Sequence, residues 1–294
     1  ESLRLVAEYT AGDFNDFLTI DLLDITGDEK AEIVVTNTVD DDLRSFIVTY
    51  DGGEFRELAA GLHWYLRVRD LPGLGRVLLA QRIGLERDFR PAIRRVTWEN
   101  DAPKLGKRVD LPDRVEWVYE FAAGSFTAPE AGEWLVLNEF GVPQLIDGQG
   151  SVLWRSRKEL GGSDNYFDRE NLYKDRYGRD EELQRRVYIP VRFLARDLDG
   201  DGVDEVVAAQ NRFLAGEHVE RVRVYDTGLV TGLAWDGMSL AQAWRTQDIP
   251  GYVADFQVKD EDNDGRDELV VVSVTGHFLK TDTRGNLTVY ELYE

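Results

Sequence analysis

The sequence predicts an all-β protein, a β-propeller of about five four-stranded blades. Three observations carry that expectation: an acidic loop signature present in three copies, a hairpin-turn signature at a fixed step, and strand-like apolar runs flanking both. The turns are YDGG at Asp51, WEND at Glu99 and IDGQG at Asp147, each 48 residues after the last, then WDG at Asp236. An Asp-Gly or Asn-type pair between apolar runs is hairpin chemistry, because it supplies the positive φ that tight two-residue turns demand.

Taken in order, ESLRLVAEYT reads as an outermost strand, expected to pair near Leu3 to Tyr9 with Leu287 to Tyr293 in one blade. FLTIDLL, the first acidic loop and EIVV open blade 1. YLRVRDLPGLGRVLLAQ opens blade 2 with a short turn at Pro72 and Gly73. WVYEFAAGSFTAPEAGEWLVL opens blade 3, with Ser125, Thr127, Pro129 and Glu133 where the acidic loops carry oxygens. One carboxylate is too few for a cation, so blades 2 and 3 are expected to lack one. Residues 155–187 read as an insertion between blades, with a short surface helix over 173–186. The second and third acidic loops open blades 4 and 5, and LTVYELYE ends the chain as a third strand. The whole, residues 1–294, reads as one propeller domain; its half-blade ends are equally those of a piece of a larger ring.

The acidic loops are DITGDEKAEIVV from Asp24, DLDGDGVDEVVA from Asp197 and DEDNDGRDELVV from Asp260. Each places oxygen side chains at positions 1, 3 and 5 and an acid at position 9: Asp24, Thr26, Asp28 and Glu32; Asp197, Asp199, Asp201 and Glu205; Asp260, Asp262, Asp264 and Glu268. Alternating oxygens in a tight loop converge on one point, and a hard cation that takes six to eight oxygens makes the crowding of carboxylates tolerable. Calcium, two to three ions, is the expected cofactor. The carbonyls of Lys30, Val203 and Arg266 would complete the shells, and Gly202 and Gly265 permit the turn that Glu29 makes harder in the first loop. An EF-hand is excluded, because its bidentate Glu at position 12 is here Val35, Ala208 or Val271.

The segments DLDGDGVDEVVAAQN and GYVADFQVKDEDNDGRDELVVVSV resemble the FG-GAP or VCBS-type repeats of integrin α-subunit propellers and many secreted bacterial proteins. The resemblance implies calcium in the loops between first and second strands, and partners on the opposite face. There the long connections carry Phe89, Arg90, Tyr166, Phe167, Phe213, His218, His277 and Phe278, the candidate partner-binding residues.

Composition limits function further. With 56 acidic against 35 basic residues, the formal charge of -21 repels nucleic acid. No run of 18 apolar residues spans a membrane, and the absence of cysteine removes thiolate chemistry. No GxSxG, HExxH or phosphate-binding glycine loop is present. The expected function is therefore a non-enzymatic, calcium-stabilised binding or scaffold module for a protein or glycan. A polysaccharide-active enzyme of propeller fold, or a subunit of a surface assembly joined through the chain ends, is the alternative. Weak calcium sites fill only where calcium is millimolar, which places the expectation outside the cell, at its surface or in the periplasm.

Overall fold

The structure is a computed structural model that describes residues 5–12, 15–84, 89–138, 140–169, 185–213, 223–276 and 283–292. These contain strands and no α-helix. Five antiparallel sheets follow one another as the blades of a β-propeller.

Blade 1 comprises β1 (Asn15–Leu23), β2 (Glu32–Val39), the short β3 (Asp42–Leu43), β4 (Ser45–Asp51) and β5 (Glu54–Leu62). Blade 2 is β6 (Trp64–Leu71), β7 (Gly75–Ile83), β8 (Phe89–Glu99) and β9 (Ala102–Arg108). Blade 3 is β10 (Phe121–Gly124), β11 (Glu133–Leu137), β12 (Pro143–Ile146) and β13 (Val152–Arg155). A two-stranded sheet, β14 (Tyr166–Arg169) with β15 (Arg185–Tyr188), follows within the predicted insertion. Blade 4 is β16 (Phe193–Arg196), β17 (Glu205–Phe213), β18 (Tyr225–Trp235) and β19 (Leu240–Arg245), with β20 (Ile249–Pro250) paired to β18. Blade 5 has three described strands, β21 (Tyr252–Lys259), β22 (Glu268–Thr275) and β23 (Arg284–Glu291).

All four predicted hairpin turns join the third and fourth strands of their blades, and all three acidic loops join first and second strands. Both are consequences of local chemistry. Gly52, Gly53 and Gly237 take the positive φ of the turns, and Asn100 and Asp101 tolerate it at 52° and 58°.

The chain divides into two compact units. One holds Glu1–Leu111, Glu116–Val118 and Phe167–Val187, hence blades 1 and 2. Its core lies between those two sheets, where Val34 and Ile47 meet Leu66, Val68, Leu78 and Val96. The other unit holds Pro112–Val115, Tyr119–Tyr166 and Tyr188–Glu294, hence blades 3 to 5. Phe126, Leu135 and Leu145 pack with Phe193 and Val206 between blades 3 and 4, and Val207 and Val230 pack with Val253, Phe256 and Leu269 between blades 4 and 5. In blade 1 the second strand has six buried residues of eight, with blade 2 against one face and Tyr9, Ala11 and Phe55 packed beside Val35 on the other.

One expectation is corrected. The N-terminal segment forms no strand over residues 5–12. Tyr9 instead lays its ring against Phe46 and Phe55, at 5.6 and 6.0 Å, and its hydroxyl reaches Glu57. Side-chain docking onto blade 1 anchors this stretch without a backbone ladder. Leu3 lies outside the described residues, as do Tyr293, His218, His277, Phe278 and the helix expected over 173–186, apart from Arg185 and Arg186, which are strand.

Candidate cation-binding loops

Each acidic loop is organised first by its own backbone. The carboxylate at position 1 accepts from amides later in the loop: Asp24 from Gly27, Asp28 and Glu29; Asp197 from Gly200 and Gly202; Asp260 from Asp264 and Gly265. The carboxylate at position 5 accepts from the amide at position 7, as Asp28 does from Lys30, Asp201 from Val203 and Asp264 from Arg266. These are Asx-type turns, in which a short acidic side chain replaces a backbone acceptor.

The acid at position 9 has a separate role that the sequence alone did not disclose. Glu32, Glu205 and Glu268 are 1%, 7% and 4% exposed, and each accepts an amide at position 2, from Ile25, Leu198 and Glu261 at 3.0, 2.9 and 2.8 Å. Each latches the loop entrance to the start of the second strand. Burial is the main cause that raises the Glu205 pKa, and the negative charges of Asp199 and Asp201 add to it, while the Leu198 amide works the other way.

The three loops diverge at the centre. In blade 4, oxygens of Asp197, Asp199 and Asp201 lie within 4.8 Å of one another, and in blade 5 those of Asp260, Asp262 and Glu268 do so. Among the described residues no third such group occurs, so the carboxylates of the first loop do not converge. Thr26 turns to Glu32 in that loop, and Lys30 forms an ion pair with Asp51 at 2.9 Å beside Asp28. Glu29 takes the φ of 68° that Gly202 and Gly265 supply at 86° and 91° in the other loops.

In blade 3 the corresponding loop keeps the latch alone. Glu133 accepts from the amides of Phe126 and Thr127 at 2.8 and 2.9 Å and from the Thr127 hydroxyl. Asp204, at position 8 of the blade 4 loop, accepts from the Ser125 amide at 2.7 Å and donates its own amide to the Ser125 carbonyl at 2.7 Å. Asp204 was not singled out in the sequence, because an acid between a valine and the latch has no spacing signature.

The candidate partner-binding residues separate into two groups. Phe167 is 4% exposed and Phe89 stacks on Trp117 at 4.1 Å, in a packed cluster with Tyr65. Phe167 is core and Phe89 half-buried against that core, while the Arg90 side chain beside them is exposed. Tyr166 and Phe213 are half-buried, against Tyr188 and Tyr225 respectively.

No protein family matches the chain, and no curated protein does. Among solved structures, a Thermus thermophilus protein described as an oxidoreductase (glucose dehydrogenase) is similar at 12% identity and a TM-score of 0.36, over 92% of this chain and 100% of its own. That description is of an enzyme and stands against the expected non-enzymatic scaffold, which is not carried further. At this identity and score the likeness assigns no activity to the present chain.

Proposed function

We propose that this chain is a calcium-binding β-propeller whose cations sit in the loops of blades 4 and 5. The observation that carries the reading is the convergence of three carboxylates in each of those loops. The donor set is all oxygen, which suits a hard cation and offers nothing to a soft one. In blade 4, Asp197, Asp199, Asp201 and the Val203 carbonyl would hold the ion beside Glu205. In blade 5 the set would be Asp260, Asp262, Asp264, the Arg266 carbonyl and Glu268. The blade 1 loop, with Asp24, Thr26, Asp28, the Lys30 carbonyl and Glu32, is the weakest site. The likeness of the blade 4 and 5 segments to FG-GAP or VCBS-type repeats belongs to this reading, as does an exported location where calcium is abundant.

Bound calcium offsets the mutual repulsion of the clustered carboxylates and so stabilises the folded state. At about 100 times the dissociation constant, each ion adds roughly 2.7 kcal/mol. Melting in calcium and in chelator, with elemental analysis of the purified protein, tests this. An unchanged melting temperature and no bound metal would reject it.

A further inference from the structure

The unit that holds blades 3 to 5 gathers five aromatic rings at the ends of separate strands. Phe213, closing β17, stacks on Tyr225, opening β18, with centroids 4.7 Å apart and planes at 28°. Tyr252, opening β21, lies 5.8 Å from Tyr225. Tyr166 and Tyr188 lie 5.5 Å apart. Arg223 joins the two groups: its guanidinium carbon is 3.8 Å from the centre of the Tyr188 ring, and it is near enough to lower the pKa of Tyr225. Asp164 is near enough to raise the pKa of both Tyr225 and Tyr252.

These rings differ from core. In the cluster of Tyr65, Trp117, Phe167 and Phe89 the first three rings are at most 4% exposed and Phe89 alone is half-buried. Here only Tyr225 is buried, at 7%, and the other four are half-buried with their polar groups interleaved. Burial pushes the Tyr225 phenol up to about 12, so it stays protonated at neutral pH and donates to the Ser163 carbonyl at 3.2 Å. The Tyr188 hydroxyl is buried and has no hydrogen-bond partner among the described residues.

The ligand class follows from what the patch can and cannot attract. A chain of net charge -21 repels phosphate and other anions. A cation would have to compete with the guanidinium already over Tyr188. An uncharged ring with an apolar C–H face and a rim of hydroxyls carries no charge to be repelled and can use the other rings with the Arg223–Tyr188 contact left in place. Aromatic faces stack against the C–H face, while each hydroxyl can both accept from Arg223 and donate to Asp164. We propose that this patch is a binding site for a neutral pyranose saccharide. It stands apart from the cation loops and from the calcium reading.

The test uses the intact chain in calcium, screened on an array of neutral glycans and titrated calorimetrically with methyl glucoside, methyl galactoside and methyl mannoside. At least one neutral saccharide should bind saturably. Tyr252→Ala and Arg223→Gln should each weaken that binding roughly tenfold or more, with the melting temperature unchanged, as removal of a central aromatic or arginine contact does. Tyr252→Phe, which keeps the ring, should retain most of it. Should Tyr252→Ala unfold, Arg223→Gln carries the same test from a half-buried position. Absence of saccharide binding, recognition of peptides instead, or binding that ignores both variants would overturn the proposal. So would binding that chelator abolishes in the parent chain while both variants bind as the parent does, which would place the sugar at the cation loops.

Discussion

The Ser125–Glu133 loop of blade 3 and the Asp197–Glu205 loop of blade 4 end on the same latch and differ in what the latch encloses. Both close through a buried glutamate that accepts an amide at position 2, Phe126 in one and Leu198 in the other. Blade 3 has Ser125, Thr127 and Pro129 where blade 4 has Asp197, Asp199 and Asp201. The loops even touch, through the paired hydrogen bonds of Ser125 and Asp204. A loop that folds with no acid at positions 1, 3 and 5 shows that the latch does not need them. The blade 4 carboxylates accept amides of their own loop, and their remaining lone pairs, brought within 4.8 Å of one another, face a common point that a ligand can use.

The comparison predicts opposite responses to two substitutions. Glu133→Ala leaves two amides and the Thr127 hydroxyl without their charged acceptor in a buried place, and should cost about 3 kcal/mol. Urea unfolding would show this loss equally in calcium and in chelator, because blade 3 carries no cation cluster. Asp199→Ala should behave the other way. It should forfeit up to about 2.7 kcal/mol in saturating calcium and change little in chelator. If Asp199→Ala is as damaging without calcium as with it, Asp199 acts through the Asp201 amide that it accepts and not through a cation, and the distinction between the loops fails.

What the sequence disclosed divides along the same line. The turns and acidic loops are short-range features: an Asp-Gly pair or three alternating acids specify a backbone path within a few residues, and Asp51, Asp147 and Asp236 all fall at the turns expected of them. The glutamate latch was visible only as an acid at position 9, because its partner is a backbone amide, which no residue type marks. The tyrosine patch was half visible. Tyr166 and Phe213 stood out on long connections, but Tyr188, Arg223, Tyr225 and Tyr252 join them only through the order of the strands. The alternating N-terminal segment read as a strand, and the Tyr9 ring docking on Phe46 overrode that pattern.

A gain of stability sharpens the contrast between the blade 1 loop and its two convergent relatives. Glu29 carries a side chain at a φ of 68°, where Gly202 and Gly265 have none. Glu29→Gly should relieve the left-handed strain, roughly 1 kcal/mol, and the flexibility of glycine in the unfolded chain returns part of that. The expected result is a net stabilisation of about a few tenths of a kcal/mol in chelator, read by chemical denaturation. Calcium at this loop should not tighten, since the substitution also removes a nearby negative charge. A destabilised variant would mean that Glu29 makes an interaction that outweighs its backbone strain.

The smallest effect expected concerns the turns between the third and fourth strands of the same blades. In blade 4, Asp236 accepts from the amides of Met238 and Ser239 at 2.9 and 2.7 Å and from the Ser239 hydroxyl. In blade 3, Asp147 accepts from those of Gln149 and Ser151 at 2.9 and 2.8 Å. These donors hold both carboxyls below their ordinary value, the Met238 amide being the largest cause at Asp236 and the Ser151 amide at Asp147. A depressed carboxyl stabilises the fold above its unfolded pKa, near 4, and that contribution is lost as pH falls through the lower folded value. Asp236→Asn and Asp147→Asn should therefore lower the melting temperature slightly at pH 7 and leave it close to the parent's at pH 2. Both carboxyls are solvent-exposed, so the shift should shrink in high salt. In the cation loops, by contrast, acid should abolish calcium stabilisation altogether. A variant whose melting temperature differs from the parent's by the same amount at both pH values would show that the hairpin carboxylates act through their shape and not their charge.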